Sequence, residues 1–153
     1  MESKSPDFQA IDFHWLLSET EVAFAKCETL DDICMQAVLL SLNVLCLDRV
    51  AILLISEDGI KAQGTWGTDE TGELNDEHDF EINLASAPDM RASLDQKGAL
   101  VVKEDIPITY YTSKVGTGWT ATASIWHGES PIGWFTCDNL LSARPINSQL
   151  KDV

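Results

Sequence analysis

The side chains able to do chemistry are four cysteines, three histidines and one dense run of carboxylates. Cys27, Cys34, Cys46 and Cys137 form no Cys-x-x-Cys pair, and three of them fall in helical or helix-end segments. They read as reduced core thiols rather than a redox pair. A metal or haem site needs clustered or axial ligands, whereas His14, His78 and His127 are far apart in sequence and read as surface or capping residues. Between Trp66 and Glu81 lie Asp69, Glu70, Glu73, Asp76, Glu77, Asp79 and Glu81 with no Lys or Arg. The regular D-x-D-x-D-G spacing of a calcium loop is missing, so the run reads as a solvated acidic loop. The nucleophile-elbow, P-loop and H-E-x-x-H patterns are also missing. Neither an enzyme nor a bound cofactor or metal is expected.

Binding chemistry has better support. Of the five tryptophans, Trp66, Trp119, Trp126 and Trp134 fall in the sheet region. Strand aromatics usually pack in cores or across strands, but they also line ligand pockets, where a few polar groups fix orientation. The candidate ligand-binding residues are Trp66, Thr68 and Asp69 after the second strand, Phe80, Met90, Tyr110, Tyr111, and Trp119 at the entrance to the last hairpin. For each, a core or loop role is the competing reading. The partner is an unidentified small molecule. A net charge of −15 argues against direct nucleic-acid binding and against anionic membranes.

These residues must be positioned by one domain, since 153 residues at 44 % hydrophobic fit a single core. No signal peptide is visible. The most apolar segment, 33–47, falls short of the roughly 20 residues of a spanning helix, and a cytoplasmic protein is expected. A first helix is predicted over 7–27, started by Ser5 and Pro6. Phe8, Ile11, Trp15, Val22 and Ala25 recur on it at near-heptad spacing. Residues 1–28 are therefore expected to dimerise the chain, the alternative being that all this surface packs internally. A second helix, 29–45, is capped by Thr29 with Asp31 and Asp32 in its first turn. It is apolar all round, so it should lie between the sheet and the first helix.

Residues 50–55 read as a central strand, and Glu57-Asp58-Gly59 as a tight turn. Residues 60–66 alternate, with Ile60, Ala62, Gly64 and Trp66 on one face and Lys61, Gln63 and Thr65 on the other. A short strand over 80–84, a short helix over 88–96 and a strand over 99–102 follow. Residues 106–118 read as a loop. The clearest element is a β-hairpin between Gly116 and Asn139, with arms 120–126 and 131–138. Residues 145–149 open a further helix.

In this order the elements resemble a GAF domain, a small sensory module. The likeness is carried by Leu47-Asp48-Arg49-Val50-Ala51-Ile52-Leu53-Leu54-Ile55 with the turn after it, and by Gly64-Thr65-Trp66-Gly67-Thr68-Asp69-Glu70-Thr71-Gly72. The hairpin 123–135, running into Cys137-Asp138-Asn139-Leu140-Leu141 and Arg144-Pro145-Ile146, completes it. The G-T-W-G-T-D and D-N-L-L segments look like a subgroup attached to bacterial histidine kinases and AraC-type regulators. The resemblance, over 29–153, implies an α+β fold with a mostly antiparallel sheet of about six strands. N- and C-terminal helices would cover one face, and loops on the other would close over a small-molecule pocket. Its final helix is expected to be truncated at Val153, as in a fragment of a larger receptor. The implied function is a small-molecule-sensing regulatory domain of a bacterial signalling or transcription-regulatory protein. The alternatives are a ligand-free dimerisation or relay module, or a thiol-based methionine sulfoxide reductase using Cys137.

Overall fold

The computed structural model of the chain describes residues 12–146. The start signal at Ser5 and Pro6, the apolar positions Phe8 and Ile11, and most of the helix expected over 145–149 lie outside them. Helix α1 (Phe13–Phe24) begins where the Asp12 carboxylate accepts from the amides of His14 at 3.0 Å and Trp15 at 3.2 Å. Helix α2 (Leu30–Asn43) starts with a reciprocal cap: the Thr29 hydroxyl accepts from the Asp32 amide, and the Asp32 carboxylate accepts from the Thr29 amide.

The strands are β1 (Arg49–Ile55), β2 (Lys61–Thr68), β3 (Leu74–Asp76), β4 (Glu81–Asn83), β5 (Leu100–Tyr110), β6 (Ser113–His127) and β7 (Ser130–Asp138), with a short helix α3 (Pro88–Leu94) between β4 and β5. They form one seven-stranded sheet in the order β3-β2-β1-β7-β6-β5, with β4 also on β2. Every pairing is antiparallel. The fold is thus α+β as expected, with one strand more than expected.

Each face of the sheet has its own core. Val50 and Ile52 of β1 point to the helix side and pack with Cys34 and Val38 of α2, joined by Trp66, Phe135 and Cys137. As its all-round apolar pattern requires, α2 lies between the sheet and α1. Leu53 points the other way, into a cluster with Ala62, Leu84, Met90 and Trp134. Trp134 is wholly buried, and its indole N–H donates to the Met90 carbonyl at 2.9 Å, fastening α3 to the sheet.

Two sequence expectations fail here. Residues 106–118 are not a loop: β5 and β6 run on to Tyr110 and back from Ser113, with register shifts after Lys103 and Ile108. Pro107 suggested a loop, but β5 is the sheet edge, where a missing N–H need cost no ladder bond. Trp66 does not share a face with Ala62 and Gly64. Ala51 pairs with Gly67 while Leu53 pairs with Gly64, so β2 carries one extra residue opposite Ile52. This bulge reverses the alternation and sends Trp66 to the helix side.

The acidic segment after β2 is tied to α2 through His78. Its Nε2 meets the Asp31 carboxylate at 2.7 Å and its Nδ1 meets that of Asp76 at 2.6 Å. Asp31 also accepts from the Trp66 indole at 3.0 Å. The Asp76 hydrogen bond raises the His78 pKa above its ordinary 6.5; burial opposes it, and the Asp31 hydrogen bond and the charges of both aspartates add to the rise. A folded pKa above the unfolded one gives stability that is complete below pH 6.5 and lost as pH rises through the folded value. Urea unfolding of wild type and His78→Gln between pH 5.5 and 8.5 should show a stability gap that is widest at the acid end and narrows upward. A pH-independent gap would remove the charged form from the account.

Candidate functional site

On the sheet face away from α1 and α2 is a cavity of about 340 Å³. Strand alternation and register lay its floor in rows. Arg49, Asp138 and Thr120 form one row, Ala51, Thr136 and Thr122 the next, and Leu53, Trp134 and Ser124 the third. The floor therefore grades from charged, through hydroxyl-bearing, to largely apolar. The walls are Glu77 and Phe80 from the segment after β3, Met90 from α3, and the outer half of β5.

Glu77 owes its position to two glycines. A Cβ on Gly64 would collide with the Glu77 carbonyl oxygen, and one on Gly67 with its carboxyl oxygens. Glycines three apart on a regular strand would face opposite sides. The bulge between them turns both toward the cavity, and Glu77 lies flat across them. The Glu77 amide donates to the Thr65 carbonyl at 2.9 Å, and the Gly64 amide to that of Phe80 at 2.9 Å. Only 6 % of Glu77 is exposed. Burial raises its pKa to about 7, opposed by the charge of Arg49 and reinforced by Asp79 and Asp69.

Arg49 is 7 % exposed. Its Nη2 donates to the Thr109 carbonyl at 3.1 Å and lies 3.6 Å from the Asp138 carboxylate. Its guanidinium carbon lies 5.8 Å from the centre of the Tyr110 ring. Nε and Nη1 are buried with no hydrogen-bond partner among the described residues. Asp138 is buried too, which raises its pKa although the Leu140 amide and Arg49 pull it down.

The rim is aromatic. The turn joining β5 to β6 puts Tyr111 at φ +50°, a left-handed conformation uncommon for a bulky residue. Its ring lies 5.1 Å from that of Phe80 and 4.7 Å from that of Tyr110. The Tyr111 hydroxyl donates to Asp79 at 3.1 Å, and the Asn75 side-chain amide donates to the Tyr110 hydroxyl at 2.8 Å. The long hairpin thereby curls against the acidic segment and walls off the cavity.

Of the residues singled out from the sequence, Thr68, Phe80, Met90, Tyr110 and Tyr111 line this cavity. Thr68 does so at its edge, its hydroxyl exchanging hydrogen bonds with the Val50 amide and carbonyl. Trp66 lies on the other face. Asp69 accepts from the Thr71 amide and hydroxyl and the Glu73 amide, so it builds its own turn. Trp119 pins the segment after β7: its amide donates to the Asn139 side chain and its indole to the Arg144 carbonyl, each at 2.8 Å.

The charged groups Arg49, Glu77 and Asp138 were not singled out. For Arg49 a signal existed, a cation at the head of an apolar strand. For Glu77 the only sequence cue is the pair Gly64 and Gly67. The solvated reading of the acidic run fails for Glu77, while Glu70, Glu73, Asp76, Asp79 and Glu81 are exposed. Among the thiols, burial pushes Cys137 up to about 12 and raises Cys34, leaving both protonated and unreactive near neutral pH. Cys46 is exposed rather than in the core. Among the described residues no cluster of three or more His, Cys, Asp or Glu side chains is arranged to hold a metal ion.

The two glycines should differ in tolerance. Gly64→Ala meets main chain and should cost about 2–3 kcal/mol in urea unfolding. Gly67→Ala meets only the end of the Glu77 side chain and should cost clearly less, while moving that carboxyl. Equal costs would contradict the packing of Glu77 on β2.

No family model and no curated protein matches the sequence. Solved structures do match. The chain is similar to the phycoerythrobilin-bound GAF domain from a cyanobacterial phytochrome at a TM-score of 0.69 and 14 % identity, over 94 % of this chain and 89 % of that one. It is similar to the GAF domain from Acinetobacter phosphoenolpyruvate-protein phosphotransferase at 0.65 and 11 % identity, over 91 % and 83 %. Residues 122 to 287 of a methyl-accepting chemotaxis protein match at 0.62 and 14 % identity, over 90 % and 86 %. The fold of this chain is that of a GAF domain.

Proposed function

We propose that the chain is a small-molecule-sensing GAF domain from a bacterial signal-transduction or transcription-regulatory protein. The observation that carries this reading is the cavity on the sheet face away from the helices, walled by α3, the acidic segment and the curled hairpin. Its size suits a small ligand, and its charged groups are held by the fold without being used up by it. The phytochrome domain of similar fold is described as phycoerythrobilin-bound. In the family that the chain resembles, a bilin is carried on a cysteine next to a histidine, and no such pair occurs in this sequence, so a bilin is not proposed.

A route from the cavity to the end of the sheet is built into adjacent residues. Arg49 faces the cavity, and Asp48 just before it accepts from the amides of Leu141 and Ser142, the Ser142 hydroxyl and the Arg144 guanidinium. Arg144 also donates to the Cys46 carbonyl at 2.6 Å, next to the end of α2. A ligand that pulls on Arg49 would therefore load the junction where α2, β1 and the segment after β7 meet.

A second reading, a ligand-free dimerisation or relay module, draws on α1. Trp15 and Val22, seven residues apart on one side of that helix, are each about half exposed, and a second copy of the chain could cover them. The reductase reading has little support, because the Cys137 thiol is held far above neutral pH.

A thermal-shift screen with neutral, anionic, cationic and zwitterionic metabolite-sized compounds tests the leading reading. At least one should raise the midpoint by about 2 °C or more at saturating concentration. The cavity-filled variant Thr136→Phe, shown folded by circular dichroism, should not respond to it. If no compound shifts wild type, or if the filled variant responds equally, the cavity is not a sensing site and the relay reading is favoured.

A further inference from the structure

The cavity holds two buried groups of opposite charge that do not meet. Among the described residues Arg49 bonds through Nη2, and its Nε and Nη1 have no hydrogen-bond partner although the residue is more than nine-tenths buried. Buried donors left without acceptors destabilise the empty fold and favour an acceptor that reaches them. Across the floor lies Glu77, also more than nine-tenths buried. Its carboxyl rests against Gly67, whose neighbour in register is Ala51. Ala51 is one same-face step along β1 from Arg49, a spacing of about 7 Å. Resting on β2, Glu77 makes no ion pair with Arg49, whose carboxylate contact is with Asp138.

A ligand that fits both groups must accept hydrogen bonds at one end and donate them at the other. A lone carboxylate would bring a third acid to a single guanidinium. A lone amine would leave the Arg49 donors empty and add a second cation beside them. A zwitterion meets both demands without changing the net charge of the cavity.

Resting on the sensing role proposed above, we infer that the cavity binds a small ammonium carboxylate of the α-amino acid class, its carboxylate on Arg49 and its ammonium on Glu77. The hydroxyls of Thr122 and Thr136 lie on the floor beneath the head group, and Phe80 and Met90 are placed to meet an apolar side chain. Binding then depends on Glu77 being ionised. The charged and titratable groups that act on Glu77 are Arg49, Asp79, Asp69 and the hydroxyls of Tyr110 and Tyr111. Arg49 favours its ionised form and the two aspartates oppose it. A bound ammonium adds to the pull of Arg49, so affinity rises with pH through the range where Glu77 titrates.

Isothermal calorimetry on the whole chain tests this with the twenty common amino acids, their deaminated carboxylates and their decarboxylated amines. At least one amino acid should bind about tenfold or more tighter than both of its matched analogues. Its affinity should increase between pH 6 and pH 8. Arg49→Lys keeps the charge but removes the guanidinium donors, and it should lose the preference over the amine. Glu77→Gln should lose both the preference over the carboxylate and the pH dependence. Because Arg49 also faces Asp138, Arg49→Lys is checked for folding by circular dichroism, and Glu77→Gln alone remains decisive if it is unfolded. An analogue that binds as tightly as its amino acid overturns the inference. So does a thermal shift by neutral compounds with none of the amino acids binding in the calorimeter, which leaves the sensing role standing. Silence from every class overturns both.

Discussion

Glu77 lies across Gly64 and Gly67 with its carboxyl out of water, and much of the cavity face depends on that contact. It needs both glycines on one side of β2, which a regular strand forbids at a spacing of three. The extra residue opposite Ile52 supplies the reversal. The same bulge turns Trp66 to the helix side, where its indole meets Asp31 at the start of α2. His78, next to Glu77, meets Asp31 as well. One irregularity in one strand thus sets the wall of the cavity on one face and anchors the acidic segment to a helix on the other.

The charge arrangement follows from that placement. A glutamate held over β2 lies near the buried guanidinium of Arg49 but makes no ion pair with it. Both charges are costly to bury without full partners. The Glu77 pKa is about 7, above the usual 4.5. Its contribution to stability is therefore fully present below about pH 4.5 and lost as pH rises through about 7. A buried carboxyl and a buried guanidinium that weaken the empty fold at neutral pH are a reasonable cost for a binding site and a poor one for a simple core. The adjacent Asp48 holds the segment after β7, so the cavity and that segment are tied to two consecutive residues, Asp48 just before β1 and Arg49 at its start.

Much of the architecture was legible in the sequence. The continuous apolar run of β1 reads as a strand covered on both faces. The apolar-all-round α2 reads as a sandwiched helix, and the arms around His127 to Ser130 read as a hairpin. What misled were signals whose meaning depends on position in the sheet. Pro107 suggests a loop until β5 is known to be an edge. Trp66 continues a period of two until the bulge breaks it. The candidate residues mix cavity with scaffold for the same reason. Phe80, Met90, Tyr110 and Tyr111 reach the cavity, whereas Asp69 and Trp119 serve turns and the segment after β7. Glu77 was hidden because one buried carboxylate in a run of seven has no local mark. Only its contact with two glycines sets it apart, and that contact is tertiary.

The ionisation of Glu77 in the folded, ligand-free chain is the most direct measurement. Carbon-detected NMR of the glutamate side-chain carboxyls, with Glu77 assigned by comparison with Glu77→Gln, follows it from pH 3 to pH 9. A midpoint near 7, falling to the ordinary glutamate range when Gly67→Ala displaces the carboxyl, is the result expected of a glutamate buried over two glycines beside Arg49. A midpoint near 4.5 in the wild-type chain would contradict it, because Glu77 would then be an ordinary solvated acid and the cavity would lack one of its two poles.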